Sequence, residues 1–121
     1  MSNDRVLTHL RFQVAPAELE GLLLGNENVA DVCVIGMYDD SQATEIPLAF
    51  VVKEPSAQNV DDKTLEADIR GWVDGQVANH KKLRGGVRFV SEIPKSAAGK
   101  ILRRVLRDQV SAEQKQLKSK L

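Results

Sequence analysis

The chain has 121 residues, room for one domain and not for two. At 42% apolar and 28% charged it has ordinary globular usage, and with 4% aromatics it is a poor match for a base-stacking RNA module. Lys plus Arg and Asp plus Glu both number 17, so the net charge of zero excludes a uniformly basic protein that coats nucleic acid.

Apolar runs are a few residues long, which predicts no membrane span and no signal-peptide core. One cysteine, Cys33, leaves no disulfide framework and no Cys-rich zinc site.

Ala15-Pro16-Ala17-Glu18-Leu19-Glu20 reads as a helix start, because Pro suits the first turn and the glutamates favour the positive helix end. Leu19, Leu22 and Leu23 share one face, and Gly25-Asn26 is a stop signal. Val29 to Gly36 is β-rich, and Asp39 to Glu45 is turn-like. Ile46 to Lys53 is a second strand, placed on an edge at Pro47 because Pro cannot donate to a ladder. Asp61 or Asp62 caps the next helix, in which Leu65, Ile69, Trp72, Val73 and Val77 recur at helical spacing; this predicts Trp72 in the core. Val87 to Val90 is a short strand. From Lys100, the residues Ile101, Leu102, Val105, Leu106 and Val110 form one helix face with Arg103, Arg104 and Arg107 pointing elsewhere. After Ser111 the chain is polar and predicts a flexible tail. The order helix, two strands, helix, strand, helix suits a single α+β domain, a small mixed sheet with flanking helices.

The zero charge is an average of two unlike parts. Met1 to Asn79 has 5 basic and 14 acidic residues, a net of −9; His80 to Leu121 has 12 basic and 3 acidic, a net of +9. Such asymmetry marks an anionic ligand or an acidic partner surface, or else a solvated helix face with scattered lysines.

Pro94-Lys95-Ser96-Ala97-Ala98-Gly99-Lys100 is the most distinctive segment. Small residues and Gly99 permit close backbone approach, and an ammonium at Lys100 could meet a phosphate or a developing oxyanion. It is not a P-loop, since Ile101 stands where the Mg²⁺-binding hydroxyl would be. Lys81-Lys82-Leu83-Arg84-Gly85-Gly86 could hold phosphate through its side chains and turn N–H groups, or be a solvated turn. His9 and His80 have no metal-ligand spacing around them, so no metal site is expected, and no Ser, His and Asp set forms a nucleophile motif. Cys33 lies inside an apolar strand and is expected to pack. Ser119-Lys120-Leu121 matches the peroxisomal import address, read by an import receptor.

Phe12 to Glu20 (F-Q-V-A-P-A-E-L-E), Lys81 to Val87 (K-K-L-R-G-G-V) and Pro94 to Lys100 (P-K-S-A-A-G-K) occur in that order. Together they resemble the C-terminal domain of adenylate-forming enzymes, nearest the 4-coumarate–CoA ligase and firefly luciferase group, several of which also end in S-K-L. The resemblance covers residues 4 to 110. It implies the fold of that lid domain, which swings over a large N-terminal domain holding ATP, Mg²⁺ and the carboxylic acid. It implies that Lys100 reaches the site during adenylation, contacts phosphate and acyl oxygens and stabilises the pentavalent transition state. It further implies that Asp4-Arg5, the loop at Phe12 and the Lys81 to Gly86 segment face the pantetheine channel when the domain rotates for thioester formation.

Two departures stand out. The large domain is absent from these residues, so ATP and CoA are expected only with a partner N-terminal adenylation domain. The segment Asp4 to Arg11 is about three residues shorter than the family's D-R-x-K-x-x-I-K-x-x-G, with Leu10 and Arg11 where Lys and Gly are typical. Together these suggest a stand-alone gene product.

Three functions follow as expectations: a ligase domain supplying Lys100 in trans; a repurposed isomerase, cyclase or lyase of secondary metabolism, with His9, in the altered segment, as its candidate acid–base group, in a pocket that could be built across a homodimer; and a non-catalytic binding or remnant protein.

Overall fold

The computed structural model describes residues 16–39, 44–78 and 81–120. The elements are α1 (Pro16–Leu23), β1 (Val29–Asp39), β2 (Thr44–Lys53), a 3₁₀ turn (Pro55–Ala57), α2 (Asp62–Asp74), β3 (Gly86–Phe89) and α3 (Arg103–Lys120). The predicted order holds, with the 3₁₀ turn added. Of the two cap candidates for α2 it is Asp61 that acts: its side chain accepts from the Thr64 N–H at 3.2 Å. α1 stops at Leu23, ahead of Gly25.

The sheet has the order β1-β2-β3, with β1 antiparallel and β3 parallel to β2. β2 is therefore the central strand. Pro47 is nevertheless tolerated, because the β2–β3 ladder begins only at the Leu48–Gly86 pair. At Pro47 itself the β3 side holds a turn, whose Gly85 N–H donates to the Pro47 carbonyl at 2.8 Å.

Both faces of the sheet are covered, which accounts for the unbroken apolar run Val32-Cys33-Val34-Ile35. Val32 and Val34 point to one face with Ala49 and Val51, against Leu19 and Leu23 of α1 and Leu65, Ile69 and Val73 of α2. Cys33 and Ile35 point to the other with Leu48 and Phe50, against Ile93 and the α3 residues Leu106 and Val110. At about 1.5–3 kcal/mol for each large side chain fully buried, these two layers supply the main drive to fold.

Three further expectations are corrected. Trp72 is 37% exposed and not in the core. Leu65, Ile69 and Val73 form the buried seam of α2, and the indole lies to its flank, with its Cη2 3.9 Å from where a Cβ on Gly25 would stand. The last helix starts at Arg103, not Lys100, and its apolar face is narrower than predicted: Leu102 and Val105 are 38% and 41% exposed. The stretch after Ser111 is helical to Lys120. Long-range contacts hold it: Arg88 pairs with Glu113 at 2.8 Å, and the Gln114 amide donates to the Tyr38 carbonyl at 2.8 Å.

Candidate functional site

Lys100 sits at the end of a short hairpin. Lys95 and Ile101 form an antiparallel bridge, the Gly99 N–H donates to the Ser96 carbonyl at 2.9 Å, and the Ser96 N–H donates to the Lys100 carbonyl at 2.9 Å. Gly99 has φ +84°, so Ser96 to Gly99 closes as a turn followed by a left-handed residue, the three-residue hairpin loop that favours glycine there. The Lys100 N–H also donates to the Ser96 hydroxyl at 3.3 Å. Ala97, Ala98, Gly99 and Lys100 are exposed, and nothing lies within 4 Å of a Cβ built on Gly99. The loop is thus small, polar-backboned and ends in an ammonium. The sequence places Lys100 at a loop-to-helix junction; in the structure the junction comes three residues later.

The hairpin is attached on both sides. Before it, Lys95 pairs with Asp31 of β1 at 2.7 Å. After it, Arg103 at the start of α3 forks onto Glu20 of α1. Glu20 is only 8% exposed, and its other bond is from the Val34 N–H at 2.8 Å, on the open edge of β1. One carboxylate therefore joins α1, β1 and α3. Arg103 does not point elsewhere, as the helix periodicity predicts; it is a structural cation.

The other basic turn is turned inward. Gly85 donates to Pro47, and Gly86, with φ +92°, donates to the Leu83 carbonyl at 3.0 Å. The Val87 N–H donates to Glu66 Oε2 at 2.8 Å, and the Leu83 N–H to Asp74 Oδ1 at 2.9 Å. Of the turn N–H groups read from sequence as phosphate donors, those of Lys81, Leu83, Arg84, Gly85 and Gly86 thus have internal acceptors. Lys81 pairs with Glu18 at 2.5 Å, Lys82 is half-buried, and Arg84 is exposed.

Cys33 is buried and free, and burial, with the Glu20 charge adding to it, pushes its thiol up from 9.0 to about 11. It packs, as predicted. His9, His80, Asp4, Arg5, Phe12 and Leu121 lie outside the described residues. Among the described residues no group of three His, Cys, Asp or Glu could hold a metal ion, and no helix is long and apolar enough to cross a membrane.

The family profile described as "AMP-binding enzyme C-terminal domain" matches residues 18–100, from the helix that carries Glu20 to the hairpin lysine. The chain belongs to this family. As an AMP-binding enzyme C-terminal domain it is 49% identical over 98 residues to a putative acyl-coenzyme A synthetase of Emericella nidulans, covering 80% of this chain and 17% of that protein. It is 45% identical over 97 residues to a phenylacetyl-CoA ligase of Aspergillus niger, with coverage of 80% and 17%. The fold is that of the corresponding part of an acyl-CoA synthetase from Brucella canis, with TM-score 0.73, 33% identity, and 82% of this chain against 18% of that one. An anthranilate CoA ligase solved with anthranoyl-AMP matches at TM-score 0.70 and 32% identity, over 80% and 18%. The C-terminal domain thus spans less than a fifth of the length of these relatives.

Sequence reasoning missed Asp31, Glu20, Glu66 and Asp74. All are helix or strand carboxylates that complete backbone or side-chain donors, and the excess of acid before Asn79 was their only visible trace.

Proposed function

We propose that this C-terminal domain supplies Lys100 to the acyl-adenylate-forming step of an acid–CoA ligase, closing in trans on an ATP- and acyl-binding domain. In that step a carboxylate oxygen bonds to the α-phosphorus of ATP while the bond to pyrophosphate breaks. Negative charge gathers on the oxygens around phosphorus, and a fixed ammonium at that point lowers the barrier without any proton transfer. The observation that carries the reading is the placement of Lys100: exposed, next to a glycine with φ +84°, at the end of a hairpin whose loop is Ala97, Ala98 and Gly99. The relatives named as acyl-CoA synthetases and ligases support it, as does the neighbour holding an acyl-adenylate. Lys81, Lys82 and Arg84 are proposed contacts for the phosphates of CoA through their side chains alone.

The test is reconstitution. The Emericella relative, cut to remove its own C-terminal domain, is mixed with this chain, and acid-dependent pyrophosphate exchange into ATP is measured. Exchange rising with added chain, and lost by a factor of about 10²–10³ with Lys100→Ala, is the expected result. Equal exchange from the native chain and Lys100→Ala overturns it. The repurposed-enzyme reading rests on His9, outside the described residues, and no observed feature favours it.

Peroxisomal delivery through Ser119-Lys120-Leu121 is proposed alongside. An amino-terminally tagged chain should move from peroxisomes to cytosol when those three residues are removed.

A further inference from the structure

We propose that Asp31 is a positioning residue for Lys100, acting through Lys95. This rests on the reading of Lys100 given above. Beyond the buried Ile93 and half-buried Ile101 the hairpin has no apolar anchor, because residues 97–100 are small or charged and exposed. Its own hydrogen bonds, Ser96 to Lys100 and Gly99 to Ser96, fix its internal shape but not its angle to the sheet. Among the described side chains of the hairpin, Lys95 makes the ion pair that reaches the sheet, 2.7 Å from Asp31 Oδ2 across a cleft of about 530 Å³ lined also by Val52 and Pro94.

Asp31 is built to receive it. β1 shifts register between Val29 and Asp31, and from Asp31 on the pairing is regular, so Asp31 shares the sheet face of Cys33 and Ile35, on which Ile93 packs. The other carboxylate oxygen, Oδ1, accepts the Val32 N–H at 2.9 Å, so the acceptor is held from its own backbone. To the Ile93 and Ile101 anchors and the Arg103–Glu20 pair that follows the hairpin, Lys95 adds a direct tie to a strand packed on both faces. Since Lys95 and Ile101 are bridged, moving Lys95 moves the strand that carries Lys100. The pair is partly exposed, with side chains 41% and 31% accessible for Lys95 and Asp31, so it adds little to global stability and is weakened by salt. A misplacement of about 1 Å at a reacting centre costs up to about a hundredfold in rate, so a weak tether suffices to matter there.

Asp31→Asn keeps the shape and the bond to Val32 but removes the charge. In the isolated chain, backbone ¹⁵N order parameters should fall at Ala97 to Lys100 and stay unchanged in α2, with the melting temperature within a few degrees of native. In the reconstituted exchange assay kcat should fall about tenfold with KM for ATP little changed. Lys95→Met should do the same, and the double variant should be no worse than the poorer single one. Asp31→Glu should recover part of the rate, and the native rate should approach that of Asp31→Asn as salt rises.

Unchanged order parameters, or singles whose losses multiply in the double variant, overturn the proposal. If order parameters fall but Lys100→Ala leaves exchange untouched, the clamp exists and the catalytic reading fails, and the positioning role fails with it.

Discussion

The two basic, glycine-bearing turns of this domain look alike in sequence and are opposites in structure. Lys81 to Gly86 is folded into the body: its glycines touch β2 and α2, its N–H groups have internal acceptors, and Lys81 is paired with Glu18. Ser96 to Lys100 stands clear: its glycine touches nothing beyond its own turn and its lysine is exposed. Glycine has a different task in each. At Gly85 it permits contact with the Pro47 carbonyl, where a Cβ would come within 2.8 Å; at Gly99 it permits a left-handed φ in open space. A basic glycine turn is thus no sign of a binding loop by itself. Both turns use their backbone donors internally; what separates them is the lysine side chain, held by Glu18 at Lys81 and exposed at Lys100.

Substitutions can break that contrast or sharpen it. The largest effect on stability should come from Gly85→Ala, where the added methyl meets Pro47 O at 2.8 Å and Leu48 Cβ at 3.0 Å. About 3 kcal/mol of loss in urea unfolding is expected, or a chain that does not fold. Glu66→Ala comes next. It leaves the Val87 N–H without its acceptor and should cost about 1–3 kcal/mol in the same measurement. Gly99→Ala has no clash and only an unfavourable φ, so about 1–2 kcal/mol is expected, with Gly99→Asn milder. Lys100→Ala should be smallest, within about 0.5 kcal/mol of native, although the proposed function gives it the greatest expected effect on exchange. A Lys100→Ala chain as unstable as Gly85→Ala would erase the distinction between the two turns.

Cys33 gives an independent gauge of the body that these changes disturb. Its folded pKa of about 11 lies above the ordinary 9.0, so stability is full below pH 9 and declines as pH rises toward 11. Cys33→Ala should flatten that decline in urea titrations at pH 8 and pH 10.5. In the native chain the thiol should resist iodoacetamide at pH 8 and react once urea is added.

Much of this was legible in the residues. The run Val32 to Ile35 announces a strand covered on both faces, Pro16 and Asp61 mark helix starts, and the three motifs carry the family. What was not legible depends on partners distant in sequence. Residues 111–120 are helical, and their described partners, Arg88 for Glu113 and Tyr38 for Gln114, are distant in sequence, so a local polar pattern reads as a tail. Trp72 fits the α2 period but lies beside the seam that Leu65, Ile69 and Val73 fill, next to the Gly25 turn.

The charge division also changes meaning in three dimensions. Glu18–Lys81, Glu20–Arg103 and Asp31–Lys95 each join the acidic part of the chain to the basic part. Part of the apparent polarity is internal neutralisation. The hairpin was invisible as such because a single bridge, Lys95 to Ile101, is too short to leave a strand pattern.

Glu20 and Glu66 have one more consequence. Each comes from a helix and takes an outward N–H in an outer strand, Val34 on β1 and Val87 on β3. A three-stranded sheet in a domain this small offers two margins to any passing extended peptide, and unprotected margins template stacking into aggregates. Here each margin carries a helix-borne carboxylate where an incoming strand would need a free donor. The same two acids that organise the body also occupy donors that an incoming strand would need.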